Sequence, residues 1–120
     1  MPGISTSVYK GKTILVVNYK GCSDEREMIG LFSKVVNKIK EYKQGILVLI
    51  NFRGAFQTPQ FIENAKEFAK LTQPFVIKRA IVGIENPNQL ILLNMTNQFL
   101  GDKTIKPFKT LKEAKEWLVK

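Results

Sequence analysis

Histidine is absent from this 120-residue sequence, and that absence removes more chemistry than any other. Without an imidazole there is no near-neutral base to activate a serine or cysteine and no usual nitrogen ligand for zinc, so serine-histidine and cysteine-histidine hydrolases and histidine-zinc enzymes are excluded. Cysteine occurs once, at Cys22. A single thiol forms neither an intrachain disulfide nor a thiolate zinc cage, and it fits a reducing compartment. Residues Met1 to Ser7 contain neither the basic region nor the apolar stretch of an export signal. The longest apolar run, Ile46 to Ile50, falls far short of the roughly 18 residues of a membrane span. A cytoplasmic protein is expected. Glycine-rich phosphate loops are missing too, since Gly54 is the only glycine in the central loop, and no nucleotide, other cofactor or metal is implied.

Arginine is scarce where lysine is abundant. The 19 basic residues comprise 16 lysines and only Arg26, Arg53 and Arg79, against 10 acidic residues, for a net charge of +9. Such a balance invites a polyanion, but base edges and phosphate forks are read mostly by arginine, and no aromatics alternate with the lysines along the chain. Specific nucleic-acid recognition is therefore not expected. Nonspecific attraction of anions or nucleic acid remains a second alternative, because Lys103, Lys106, Lys109, Lys112, Lys115 and Lys120 crowd the last 18 residues.

At 44% apolar and 24% charged residues the composition is globular, and the length suits one domain over residues 1–120. Ser5 to Tyr9 and Thr13 to Tyr19 read as strands around a Lys10-Gly11 turn. Ser23 is positioned to cap a helix, with Asp24 and Glu25 in its first turn and Met28, Ile29, Phe32, Val35, Val36, Ile39 and Tyr42 recurring at helical spacing before Gly45. Ile46 to Ile50 reads as a central strand covered on both faces. Thr58-Pro59 and Asn86-Pro87 each pair a capping side chain with a proline at the first helical position. They open helices carrying Phe61, Ile62, Ala65, Phe68 and Ala69, and Leu90, Ile91, Leu93, Asn94 and Phe99. Val76 to Ile84 contains the strand between them, and Ile105 to Phe108 forms a short edge strand. Thr110-Leu111-Lys112-Glu113 is a capping box ahead of Ala114, Trp117 and Leu118. The order β-β-α-β-α-β-α-β-α predicts an α/β fold with a five-stranded mixed, mostly parallel sheet and four helices.

Several segments carry a resemblance. A buried strand enters a short loop and a Thr-Pro helix start, the Ala80-Ile81-Val82-Gly83 strand follows, and the tail runs Ile105-Lys106-Pro107-Phe108 into Leu111-Lys112-Glu113-Ala114-Lys115-Glu116-Trp117-Leu118. In these features the chain resembles the STAS superfamily, in particular its SpoIIAA-like, STAS/SEC14-type domains. The resemblance implies a non-enzymatic regulatory module, often bacterial, that binds a protein partner or a small anionic or lipid-like ligand. It also implies a phosphoacceptor at the start of the second helix, for which Thr58 is the matching position. Here Gln57-Thr58-Pro59-Gln60 replaces the Asp-Ser-Ser-Gly of the anti-sigma-factor antagonists.

Independently of any family, ligands in open α/β sheets gather beyond the carboxyl ends of the strands, where helix N-termini expose free amides. This places a candidate anion site at Ser23, Arg53, Gln57, Thr58 and Asn86. Asn18 and Asn51 end their strands on the same rim, where a phosphoryl-accepting receiver has carboxylates; amides there are expected to bond the following turn. Phe52, Phe56 and Pro59 form a candidate partner patch if exposed. The main alternative is a carrier with a lipid or acyl ligand in an apolar pocket; an enzyme working through aspartate, lysine or cysteine is a further one, and no catalytic residue is assigned. A closed apolar cavity would favour the carrier, and a flat patch with Phe56 exposed the partner protein.

Overall fold

The fold was analysed in a computed structural model, which describes residues 3–22, 24–55, 58–101 and 104–120. Strand β1 (Gly3–Tyr9) turns back into β2 (Lys12–Asn18) through Lys10 and Gly11, both at positive φ (49° and 81°), the backbone that a tight two-residue hairpin turn requires. Then follow α1 (Glu25–Lys40), β3 (Ile46–Asn51), α2 (Pro59–Thr72), β4 (Val76–Val82), α3 (Pro87–Leu100), β5 (Ile105–Phe108) and α4 (Leu111–Leu118). A short 3-10 turn, Gln73–Phe75, joins α2 to β4. The predicted order of elements is the observed one.

The sheet runs β1-β2-β3-β4-β5, antiparallel between β1 and β2 and parallel from β2 onward. Because each parallel strand is laid down beside its predecessor in chain order, right-handed crossovers put α1, α2 and α3 on one face. Only α4 packs on the other. The core divides accordingly. Leu15, Val17, Phe32, Val48, Phe61 and Ile81 belong to the α1–α3 side, and Ile14, Leu47, Leu49, Ala80, Val82 and Leu118 to the α4 side. Strand β3 supplies both faces, which is why Ile46 to Leu49 are all buried and the sequence shows an unbroken apolar run.

Local capping agrees with the sequence in three helices and differs in one. The Thr58 hydroxyl accepts from the Phe61 amide at 3.1 Å, Asn86 and Gln89 form a reciprocal capping box, and Thr110 accepts from the Glu113 amide at 3.1 Å. For α1 the cap is Asp24 rather than Ser23: its carboxylate accepts from the amides of Arg26 (2.9 Å) and Glu27 (3.3 Å). A carboxylate at that position satisfies two orphan amides and meets the positive end of the helix dipole. Ser23 itself lies outside the described residues.

Candidate functional site

The carboxyl ends of the parallel strands form the rim on which the anion site was expected. Asn18 pairs with Asn51 in the register, Asn51 with Val82, and Val82 with Phe108. The two asparagines bond the following turns: Asn18 Oδ1 accepts from the Lys20 amide at 3.0 Å and Asn51 Oδ1 from the Arg53 amide at 3.3 Å. The backbone ladder continues past the strands, with Tyr19 N donating to Asn51 O, Gly21 N to Arg53 O and Phe52 N to Val82 O at 2.7–2.8 Å. Gly83 closes this corner. At φ 110°, a Cβ on it would stand 2.5 Å from the Phe52 carbonyl carbon and the Arg53 nitrogen, so only glycine lets β4 end against the loop leaving β3.

The helix N-termini along this rim are occupied by the chain's own groups. Thr58 accepts from Phe61 and donates its hydroxyl proton to Glu25 Oε1 at 2.8 Å, so a carboxylate from the first turn of α1 already faces the start of α2. Asn86 is engaged with Gln89 in both directions. The strands stand in chain order, but the connections after β4 and β5 leave toward opposite faces, and between them a cleft of about 610 Å³ lined by Asn86, Pro87, Leu90, Phe108, Lys109 and Glu113 opens on the rim. Arg53 is half-buried in the loop between β3 and α2, while Gln57 lies outside the described residues.

Of the expected partner patch, Phe52 turns inward. It is 1% exposed and its ring lies 5.4 Å from Phe61 and 5.9 Å from Tyr19. A ring immediately after a buried strand, whose amide is held by Val82 O, has the core as its nearest apolar environment. Pro59 is exposed, and Phe56 lies outside the described residues. A group of exposed apolar side chains lies elsewhere, on the outer side of α3, where Leu90, Ile91, Met95 and Phe99 face solvent; Val8, Leu71 and Ile77 are exposed on other elements. Leu93 and Thr96, on the inner side of the same helix, are buried.

Between the sheet and α1–α3 lies a cavity of about 120 Å³. Its walls are apolar side chains from all three helices and from β2, β3, β4 and β5, and its described lining contains no lysine, aspartate, glutamate or cysteine. Aromatic rings crowd one part of the lining: Phe32 stacks with Phe61 at 5.0 Å and with Phe68 at 4.9 Å, and Tyr19 meets Phe61 edge-on at 5.6 Å. Two lining residues are polar in unlike ways. Arg79, 3% exposed in β4, donates to the Ala69 carbonyl (2.8 Å), the Thr72 hydroxyl (3.0 Å) and the Gln73 side-chain oxygen. It thereby ties the sheet to the carbonyl end of α2, where the helix dipole favours a cation. Burial pulls its pKa down to about 10. Tyr19, 3% exposed, carries a hydroxyl with no hydrogen-bond partner among the described residues, and burial raises its pKa.

On the α4 face the fold makes a contact pattern that the linear sequence conceals. Lysines and aromatics do not alternate along the chain, yet Lys78 and Lys106 stand over the Trp117 ring (5.0 and 5.4 Å), Lys106 also over Phe108 (5.7 Å), and Lys10 and Lys115 over Tyr9 (5.7 and 5.9 Å). Glu116 joins them, accepting from the Tyr9 hydroxyl and from Lys10 Nζ at 2.7 Å. The hydrogen bond from Lys10, with that from Tyr9 behind it, lowers the Glu116 pKa.

Sequence reasoning missed Arg79 as a buried cation, Tyr19 as a buried orphan hydroxyl, and the exposed side of α3. A charged residue next to the Ala80-Ile81-Val82 run was the available signal for the first. Tyr19 reads as an ordinary strand end, and α3 is apolar on both sides, so periodicity does not choose its inner face.

No helix among the described residues is long and apolar enough to cross a membrane. Comparison with known protein families gave no match, and neither did comparison with curated protein sequences. Among solved structures, the chain is similar to an uncharacterized protein of the DUF3478 family from Shewanella loihica PV-4, described as having a SpoIIAA-like fold. The TM-score is 0.75 at 15% sequence identity, over 98% of this chain and 93% of that one. The four helices and five-stranded mixed sheet described above are thus a SpoIIAA-like fold.

Proposed function

We propose that this chain is a non-catalytic, STAS-like binding module that holds a small apolar molecule between its sheet and α1–α3. The observation that carries this reading is the cavity of about 120 Å³ with apolar walls. Its size is close to that of an engineered apolar cavity of about 150 Å³ that takes up benzene. A ring-sized molecule or a short acyl segment fits such a volume, whereas drug-sized ligands occupy pockets of roughly 300 Å³ or more. A described lining without carboxylate, lysine or thiol supports binding over turnover.

Benzene titration, read from the methyl resonances of Ile62 and Leu93, tests the reading. Saturable shifts at these methyls and a rise in melting temperature with ligand concentration are expected. Ala65→Phe, which fills the cavity from α2, should abolish both. Absence of saturable shifts in the unaltered protein would overturn the proposal.

A second reading, a regulatory module that docks a protein partner, draws on the outer side of α3. Leu90, Ile91, Met95 and Phe99 are exposed there on a helix with no charged residue. Co-purification of a stoichiometric partner that is lost on Ile91→Lys and retained on Lys112→Ala would favour it.

A further inference from the structure

We infer that the molecule held in the cavity is uncharged and carries a hydrogen-bond acceptor, a carbonyl, ether or hydroxyl oxygen, and that Tyr19 is the donor that recognises it. This rests on the cavity being a ligand site.

Tyr19 is the first residue after β2, is 3% exposed, lines the cavity, and has a hydroxyl with no partner among the described residues. Buried hydroxyls in folded proteins are nearly always hydrogen-bonded, and leaving one unpaired costs about 1–3 kcal/mol. The ring does not need the oxygen. It packs edge-on against Phe52 and Phe61 and tilted against Phe32, contacts that a phenylalanine would make equally well, and the neighbouring rings are all phenylalanines. A buried hydroxyl without a partner in the protein itself is accounted for if a bound molecule supplies one.

The chemistry of the walls narrows that partner. A neutral phenol offers one directional O–H donor and compensates no formal charge. The donors of Arg79 are directed to Ala69, Thr72 and Gln73 in holding the end of α2. The remaining described lining is apolar apart from Thr72 and Thr96, whose hydroxyls donate to backbone carbonyls of their own helices. A ring-sized ketone, aldehyde or ether matches one donor amid apolar walls.

The test compares two nearly isosteric probes, cyclohexane and cyclohexanone, on the full chain and on Tyr19→Phe. Affinities are read from the Ile62 and Leu93 methyl shifts, and the fold of the variant is verified by its melting temperature. Cyclohexanone affinity should fall on the order of fivefold in Tyr19→Phe, the net worth of one hydrogen bond between uncharged groups, while cyclohexane affinity stays within twofold. If both probes bind and the variant leaves the ketone unaffected, or weakens both alike, the Tyr19 assignment is overturned and the cavity reading stands. If neither probe binds the unaltered protein, the site itself is overturned.

Discussion

The Thr58 hydroxyl donates to the Glu25 carboxylate across 2.8 Å and so couples the first turns of α1 and α2, two segments 33 residues apart in the chain. The same oxygen caps α2 by accepting from Phe61. Thr58→Ala removes both bonds and should lower stability by about 1–2 kcal/mol in urea unfolding, while Thr58→Ser should recover most of the loss. A negative charge at this position meets Glu25. Thr58→Glu, a substitute for a phosphorylated threonine, is expected to be less stable than Thr58→Gln, and Glu25→Gln should remove the difference. Equal stability of the Glu and Gln variants in the presence of Glu25 would show that the two side chains do not interact.

Tyr19 gives a pH signature with a definite sign. Burial raises its folded pKa above the ordinary value of 10.0, so the unfolded chain releases this proton at a lower pH than the native one. Its contribution is constant below pH 10 and declines as the pH rises above it. Tyr19→Phe lacks the decline, and its stability relative to the unaltered chain should grow by about 1.4 kcal/mol per pH unit above 10. Arg79, whose pKa burial lowers, is common to both proteins, and the difference between them cancels its contribution. Below pH 9 the variant should be more stable by roughly 1 kcal/mol, since an unpaired buried hydroxyl is gone. Chemical denaturation at pH 8 and pH 11 measures both quantities.

Gly83→Ala should be among the most damaging single-atom additions. The added carbon would lie 2.5 Å from backbone atoms of Phe52 and Arg53, at a φ of 110° that side chains avoid. Strain and overpacking together predict a loss of at least about 2 kcal/mol. Gly30→Ala, in the exposed middle of α1 with nothing near its Cβ, should instead stabilise by roughly 0.5–1 kcal/mol. Thermal melts of the two variants make the comparison.

Two positions of α3 separated by one residue should respond in opposite ways. Leu93 is 7% exposed and lines the cavity, so Leu93→Ala should cost about 2–4 kcal/mol. Ile91 is 56% exposed, and Ile91→Ala should fall within about 0.5 kcal/mol of neutral. Urea midpoints decide it; a large loss at Ile91 would mean that the outer side of α3 is covered in solution.

What could be read from the sequence follows the range of the interactions involved. Thr58-Pro59, Asn86-Pro87 and Thr110 declared their helix starts because a cap is settled within four residues. At α1 two capping types stand side by side, and the choice of Asp24 over Ser23 depends on the backbone register at which the helix begins. Phe52 and Ile91 were not legible. Whether an aromatic after a strand turns in depends on the loop it meets, here held by Val82, and a helix whose apolar residues are spread around its circumference presents no pattern to orient it. The cavity is further still from the sequence, because its volume is set by how three helices seat on one sheet. The Glu25 contact with Thr58 and the lysines over Trp117 share that limit, as each joins residues from separate elements.

The sheet that separates the two halves of the core also separates their mutational fates. Leu93 and Phe61 contact one side and Leu118 and Ala114 the other, with β3 between them. Paired substitutions taken one from each side should combine additively, whereas pairs within a side should not. Side chains on the three-helix side can then vary while the opposite layer anchors the architecture, so one half of the interior is free to be remodelled without rebuilding the other.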